Sequence, residues 1–187
     1  MSPRRLYGPV VLGLLATGGL AWLAASRVWV RATLSTDGLP SDALAVTGTE
    51  ARPVVAALAL VVAAAALAVL ATRGRARRAV GVLVVLVALA GIALVVTAGG
   101  AIDDAVARTA AESPAFVGGD VPPTSTSPWR WVVLLPFVLA AALGALVVRH
   151  APAWPAMSGR YDAPAARRGH EDDDPWKALD EGRDPTV

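Results

Sequence analysis

Residues able to do chemistry are few in this chain, and their spacing works against them. His150 and His170 have no companion at metal-ligand spacing, and the absence of cysteine removes thiolate sites, cysteine nucleophiles and disulfides together. Asp103 and Asp104 make a carboxylate pair, but adjacent residues do not share a helix face, so no acid–base dyad is expected. No phosphate-binding glycine loop, nucleophile elbow or zinc motif is present. The sequence therefore predicts neither an enzyme nor a bound cofactor or metal. What stands out instead is tryptophan. Trp22, Trp29, Trp129 and Trp131 are candidates for one aromatic cluster, while Trp154 and Trp176 stand in a charged C-terminal stretch.

The elements that must position these residues are membrane spans. Hydrophobic residues make up 55% of the 187 and charged residues 17%, too apolar a balance for a soluble domain. Segments 6–25, 53–71, 79–98 and 131–148 contain no Asp, Glu, Lys or Arg. Each approaches the ~20 residues that cross a ~30 Å hydrocarbon core. Continuous apolar runs without alternation select helices over a barrel. The predicted fold class is an all-α membrane protein with four transmembrane helices in a domain 1–148, followed by a tail 149–187. The first span has a basic start but no convincing cleavage site, so it is read as retained rather than as a signal peptide. No ionisable side chain lies inside a span, which argues against pumps, ion-coupled carriers and intramembrane proteases. Gly13 with Thr17, and Ala140 with Gly144, would permit close helix packing, and Pro136 is a candidate kink.

Charge placement sets the orientation. Twelve of the seventeen basic residues fall in SPRR, TRGRARR and the stretch after Val148, against five in connections 26–52 and 99–130. Short arginine-rich segments stay in the cytoplasm, so both termini are expected inside and the two longer loops outside. The link 72–78 suits only a tight turn between antiparallel spans. In the first outer loop, VWVRATL and ALAVTG flank the turn-rich STDGLPSD, which predicts a small extracellular β-hairpin, with Thr47 or Thr49 capping the next helix. A lone hairpin is marginal, so it should lean on the second loop or on the span ends. In that second loop Ile102, Val106 and Ala110 share one helical face, VGGDVPPTSTSP is expected to be irregular, and Ser127 with Pro128 opens the fourth span. Trp22, Trp29, Trp129 and Trp131 then gather near one interface, where an aromatic belt would place them; the alternative is a cage for an aromatic or cationic ligand.

Beyond the fourth span, APAWPAMSGRYDAP carries prolines expected to stop the helix, and AARRGHEDDD reads as a solvated linker. Asp174, Pro175 and Gly182 bound a short helix 175–181, on which Trp176 and Leu179 share a face beside Lys177, the one lysine of the chain. So short a helix needs a surface to cover Trp176. The arginine-rich turn, the lipid headgroups and a partner protein are the three choices, and the aspartates 172–174 disfavour anionic lipid.

The four-span layout, WVRATL and VTGTEARP in the first loop, the arginine-rich turn, and RYDAP and DPWKALDEGRDPT in the tail together resemble the tryptophan-associated transmembrane protein family of GC-rich Gram-positive bacteria. The resemblance covers nearly the whole chain. It implies a setting among tryptophan-biosynthesis genes and assigns no site. Two functions follow. One is a non-enzymatic plasma-membrane partner or scaffold that contacts a soluble or membrane protein through Trp176, Lys177 and Leu179. The other is a small carrier or exporter for tryptophan or an aromatic intermediate, which four short apolar spans could form only as a homo-oligomer. The lipid bilayer is a partner in either reading, and nucleic acid in neither.

Overall fold

The computed structural model describes residues 6–34, 41–113 and 124–154. In chain order, α1 (Tyr7–Ala25) leads into strands β1 (Val28–Leu34) and β2 (Asp42–Thr47), and a single turn α2 (Gly48–Ala51) precedes α3 (Pro53–Ala71) and α4 (Gly74–Val96). Then follow α5 (Gly99–Ala111), β3 (Thr124–Thr126), α6 (Trp129–Val132), α7 (Leu134–His150) and a 3₁₀ turn, Ala151–Ala153. Four helices are long and apolar enough to cross a membrane: α1, α3, α4 and the composite Trp129–Ala153.

These spans are apolar on every side, so burial rather than polarity marks their inner faces. α1 buries Val10, Leu14, Thr17, Ala21 and Ala24, and α3 buries Val55, Ala59, Val62, Ala66 and Val69. α4 buries Arg77, Gly81, Val84, Ala88, Gly91 and Val95, and α7 buries Phe137, Ala140, Gly144 and Val147. Steps of three and four alternate along each stripe, the spacing of a left-handed bundle seam. α1 and α4 each pack against both α3 and α7. Small residues face inward while Leu12, Leu20, Leu60, Leu67, Leu86 and Leu135 face outward. A bilayer offers little hydrophobic gain for helix association, so close backbone approach and dispersion must supply it. Gly81 and Gly144 provide that approach, since a Cβ on either would lie 3.0 Å from the other's carbonyl oxygen.

One local expectation is corrected, and two are met with added detail. The link between α3 and α4 is shorter than 72–78, because α4 starts at Gly74 and the arginines at 75, 77 and 78 already belong to it. Gly74 takes φ +54°, a reversal that glycine makes without steric penalty. Long arginine stems carry their charge toward the polar end, so charge does not prevent the helix from starting there. The fourth span is interrupted at Val133, between α6 and α7. Pro136 lacks the N–H that a continuous helix would direct at the carbonyl of Val132, which accounts for the break. The prolines after Val148 do end the α-helix, which stops at His150 before a single 3₁₀ turn. Pro152 falls in the first positions of the 3₁₀ turn, where its missing N–H is no loss, and the turn carries Trp154 to a buried position.

The end of the bundle opposite the arginine-rich turn carries a three-stranded antiparallel sheet in the order β2-β1-β3. β1 pairs with β2 from Val28↔Thr47 to Leu34↔Asp42, as the hairpin reading expected. β3 comes from the stretch expected to be irregular; Thr124–Thr126 pairs with Ala32 to Val30 and supplies the support a lone hairpin lacks. Val30, Ala32, Leu34, Leu44 and Val46 form the buried face of the sheet. α5 lies against β1 and β2 and buries Ile102, Ala105, Val106 and Ala110. The Ser113 hydroxyl donates to the Asp42 carboxylate at 2.6 Å, tying the end of α5 to the start of β2. Thr47 caps α2 rather than a span: its hydroxyl accepts from Glu50 N at 3.3 Å, and the Glu50 carboxylate accepts from Thr47 N at 2.7 Å. Pro128 is the residue directly before α6, and the Ser127 hydroxyl ahead of it accepts from Trp129 N at 3.5 Å, a long version of the expected cap. The Ser127 backbone N–H donates to Trp29 O at 2.7 Å, extending the β1–β3 ladder.

Candidate functional site

At the arginine-rich end three elements converge on one guanidinium. Arg77 continues the inward stripe of α4 by one step beyond Gly81 and is 2% exposed. Tyr7 comes from the first turn of α1, and Trp154 follows the 3₁₀ turn. The Arg77 guanidinium carbon lies 5.1 Å from the Tyr7 ring centroid and 5.9 Å from that of Trp154. The two rings meet edge to face at 5.3 Å. Arg77 Nε donates to the carbonyl of Thr72 at 3.0 Å, satisfying an acceptor at the C-terminal end of α3. His150 stacks on Trp154 at 6.5 Å, with Nδ1 3.1 Å from the carbonyl of Leu146; a carbonyl only accepts, so Nδ1 carries the proton in that bond. Arginine suits this box because a planar, weakly hydrated cation can be desolvated against aromatic faces more readily than an ammonium. The arrangement fixes the two chain ends of the bundle to the α3–α4 turn. No carboxylate among the described residues lies at this end.

The sheet end is organised around Trp29. β1 advances two residues from Val28 to Val30 while β2 advances one, so Trp29 occupies a bulge. The bulge turns both Trp29 and Val30 inward, and Trp29 is fully buried with its indole N–H donating to Ala24 O at 3.2 Å. The edge of its ring packs on Gly48, where any side chain would collide. Trp22, Trp129 and Trp131 remain partly exposed. Arg27 lies over Trp129 at 5.5 Å and Arg130 over Trp131 at 4.9 Å. Arg130 and Arg52 also close the C-terminal end of α4: Arg130 Nη2 donates to the carbonyls of Val95 and Val96 at 3.3 and 3.2 Å, and Arg52 Nη2 to that of Thr97 at 3.1 Å. Cations at a helix C-terminus complement its dipole.

A family profile described as tryptophan-associated transmembrane protein matches residues 11–186, through both the bundle and the C-terminal stretch. The chain belongs to that family. No curated protein and no solved structure matches it. The family description agrees with the four long apolar helices, and this tryptophan-associated protein is a multi-pass membrane protein.

In this member of the tryptophan-associated family, Trp22, Trp29, Trp129 and Trp131 all belong to the sheet end of the bundle but differ in burial. Trp29 is a core residue, and no two of the indoles of Trp22, Trp29, Trp129 and Trp131 stack on each other. Asp103 and Asp104 are both exposed on α5. Among the described residues no three metal-ligating side chains gather. A shallow polar hollow is lined by Glu50, Ala105, Arg108, Thr109 and Glu112, but the Glu50 carboxylate already serves the α2 cap. Trp176, Lys177, Leu179, His170 and the helix predicted over 175–181 lie outside the described residues. Sequence reasoning missed Arg77 and Tyr7 and assigned Trp154 to the tail. The signal was available in part: counting back from Val95 through Gly91, Ala88, Val84 and Gly81 in steps of four and three lands on Arg77.

Proposed function

We propose that this protein is a non-enzymatic membrane anchor with both termini in the cytoplasm, and that its C-terminal stretch recruits a partner protein of tryptophan metabolism to the membrane. The observation that carries this reading is the burial of Trp154 against Tyr7 and Arg77, immediately ahead of the polar stretch 155–187. A recruiting arm needs a fixed point of departure, and this contact provides one. The family match running to residue 186 adds support, because the stretch that carries Trp176, Lys177 and Leu179 belongs to what the family shares. The closely packed interior, with Phe137 lodged on Gly91 and Gly81 on Gly144, weighs against a solute path through a single copy.

Photocrosslinking from position 176 in native membranes tests the proposal. The expected product is an adduct with a soluble or membrane protein, identified by mass spectrometry. Adducts confined to residues 72–78 would replace recruitment with an intramolecular clasp.

A further inference from the structure

Beside the α4–α7 contact, at the arginine-rich end of the bundle, a furrow runs between the two helices. Val82, Val85 and Leu86 form one wall and Ala145, Val148 and Arg149 the other, around about 470 Å³. Its surface is almost wholly apolar, and Ala145 is exposed on it. The furrow is therefore open on the side that faces acyl chains. It also has a charged mouth. Arg149 lies in the wall itself, and Arg78 stands four residues before Val82 on the same α4 face, both arginines exposed. The described carboxylates, Asp42, Glu50, Asp103, Asp104 and Glu112, all belong to elements of the sheet end. The furrow mouth is thus cationic, with no described carboxylate at its end of the bundle.

We propose that this furrow is a binding site for an anionic phospholipid, with one acyl chain against Val82, Val85, Leu86 and Ala145 and the phosphate between Arg78 and Arg149. An apolar channel alone would accept any lipid tail. Guanidinium groups at the headgroup level add selectivity for negative charge, because arginine forms paired hydrogen bonds to phosphate oxygens and gains from the surface potential of anionic lipid. The site does not depend on the recruiting role of the C-terminal stretch, and the two fail separately.

The test uses the full chain, purified in detergent and exposed to equal amounts of phosphatidylglycerol and phosphatidylcholine with identical acyl chains, with retained lipid counted by native mass spectrometry. Phosphatidylglycerol is expected to be retained preferentially. The paired substitution Arg78→Gln and Arg149→Gln should lower that preference roughly 30-fold, about fivefold per arginine. Ala145→Phe, an exposed position where added bulk fills the furrow without entering the bundle core, should reduce retention of phosphatidylglycerol while leaving the melting temperature unchanged. Equal retention of the two lipids overturns the proposal, as does Ala145→Phe binding like the parent, which would place the lipid elsewhere. Displacement by free inorganic phosphate would overturn the lipid assignment by showing that the arginines hold an anion without the chain. Binding that appears only after Asp172, Asp173 and Asp174 are changed to Asn would overturn it too, since the acidic run rather than a lipid would then occupy the mouth.

Discussion

Arg77 Nε donates to the carbonyl of Thr72 at 3.0 Å while its guanidinium lies over the rings of Tyr7 and Trp154. One side chain thereby joins the start of α1, the α3–α4 turn and the residue that follows the last span. No other charged side chain among the described residues is as fully buried. A buried cation is tolerable only when its donors and its charge are both answered.

Replacing Arg77 by Ala should therefore destabilise the bundle by about 3 kcal/mol, combining a charge-assisted hydrogen bond with two desolvated ring contacts. Arg77→Lys should recover only part of this, since a strongly hydrated ammonium costs more to desolvate beside the two rings. Unfolding of the purified protein by SDS titration in mixed micelles reads both. Parent-like stability of Arg77→Ala would show that the box is incidental packing.

Neighbouring glycines in α1 give a sharper contrast. A Cβ on Gly18 would lie 2.5 Å from Ala63 N and 2.8 Å from Ala59 O, both backbone atoms of α3, whereas Gly19 has nothing within 4 Å. Gly18→Ala should cost about 2 kcal/mol or more by forcing the helices apart. Gly19→Ala should be neutral or stabilising by up to about 1 kcal/mol, through helix propensity. The same unfolding assay applied to both variants checks the difference, and equal effects would refute the α1–α3 contact.

The legibility of this chain was uneven, for physical reasons. Apolar runs located the long helices because a bilayer demands such runs whatever their packing. The inner faces were hidden for the same reason: with lipid outside and protein inside, both sides of a span are apolar, so Leu86 and Val84 look alike although one is exposed and the other buried. In the sequence Arg77 looks like one more charge of a cytoplasmic turn, because its inward register shows only once the stripe through Gly81 is known. β1 and β2 announced themselves by composition and by the turn between them. β3 did not, since Thr124–Thr126 is three exposed residues that become a strand only by pairing with β1. By sequence Trp29 looks like Trp22, Trp129 and Trp131, an indole near the interface, and nothing local marks the bulge that buries it.

That bulge makes Trp29 and Gly48 an interdependent pair. A side chain on Gly48 would place its Cβ 2.3 Å from Trp29 Cε2. Gly48→Ala alone should be strongly destabilising, and Trp29→Ala should cost about 3–5 kcal/mol for the lost aromatic volume. In the double variant the two effects should not add, because the methyl introduced at position 48 would meet a cavity in place of a ring. A double-mutant cycle measures the coupling, and strict additivity would argue that the indole lies elsewhere.

Orientation decides whether the C-terminal stretch can meet a cytoplasmic partner at all, and the absence of cysteine makes it directly measurable. Arg31 is exposed on β1 at the sheet end, and Arg75 is exposed in the first turn of α4 at the opposite end. Arginine-rich short links favour the cytoplasm, so Arg31→Cys should react with a membrane-impermeant maleimide in intact cells and Arg75→Cys only after permeabilisation. α4 starts, and the last span finishes, at the same end of the bundle, since Arg77 and Trp154 touch. The label at position 75 therefore reports the side from which residues 155–187 depart. Reaction of Arg75→Cys in intact cells would put that stretch outside and exclude the recruitment of a cytoplasmic partner, whatever Trp176 contacts.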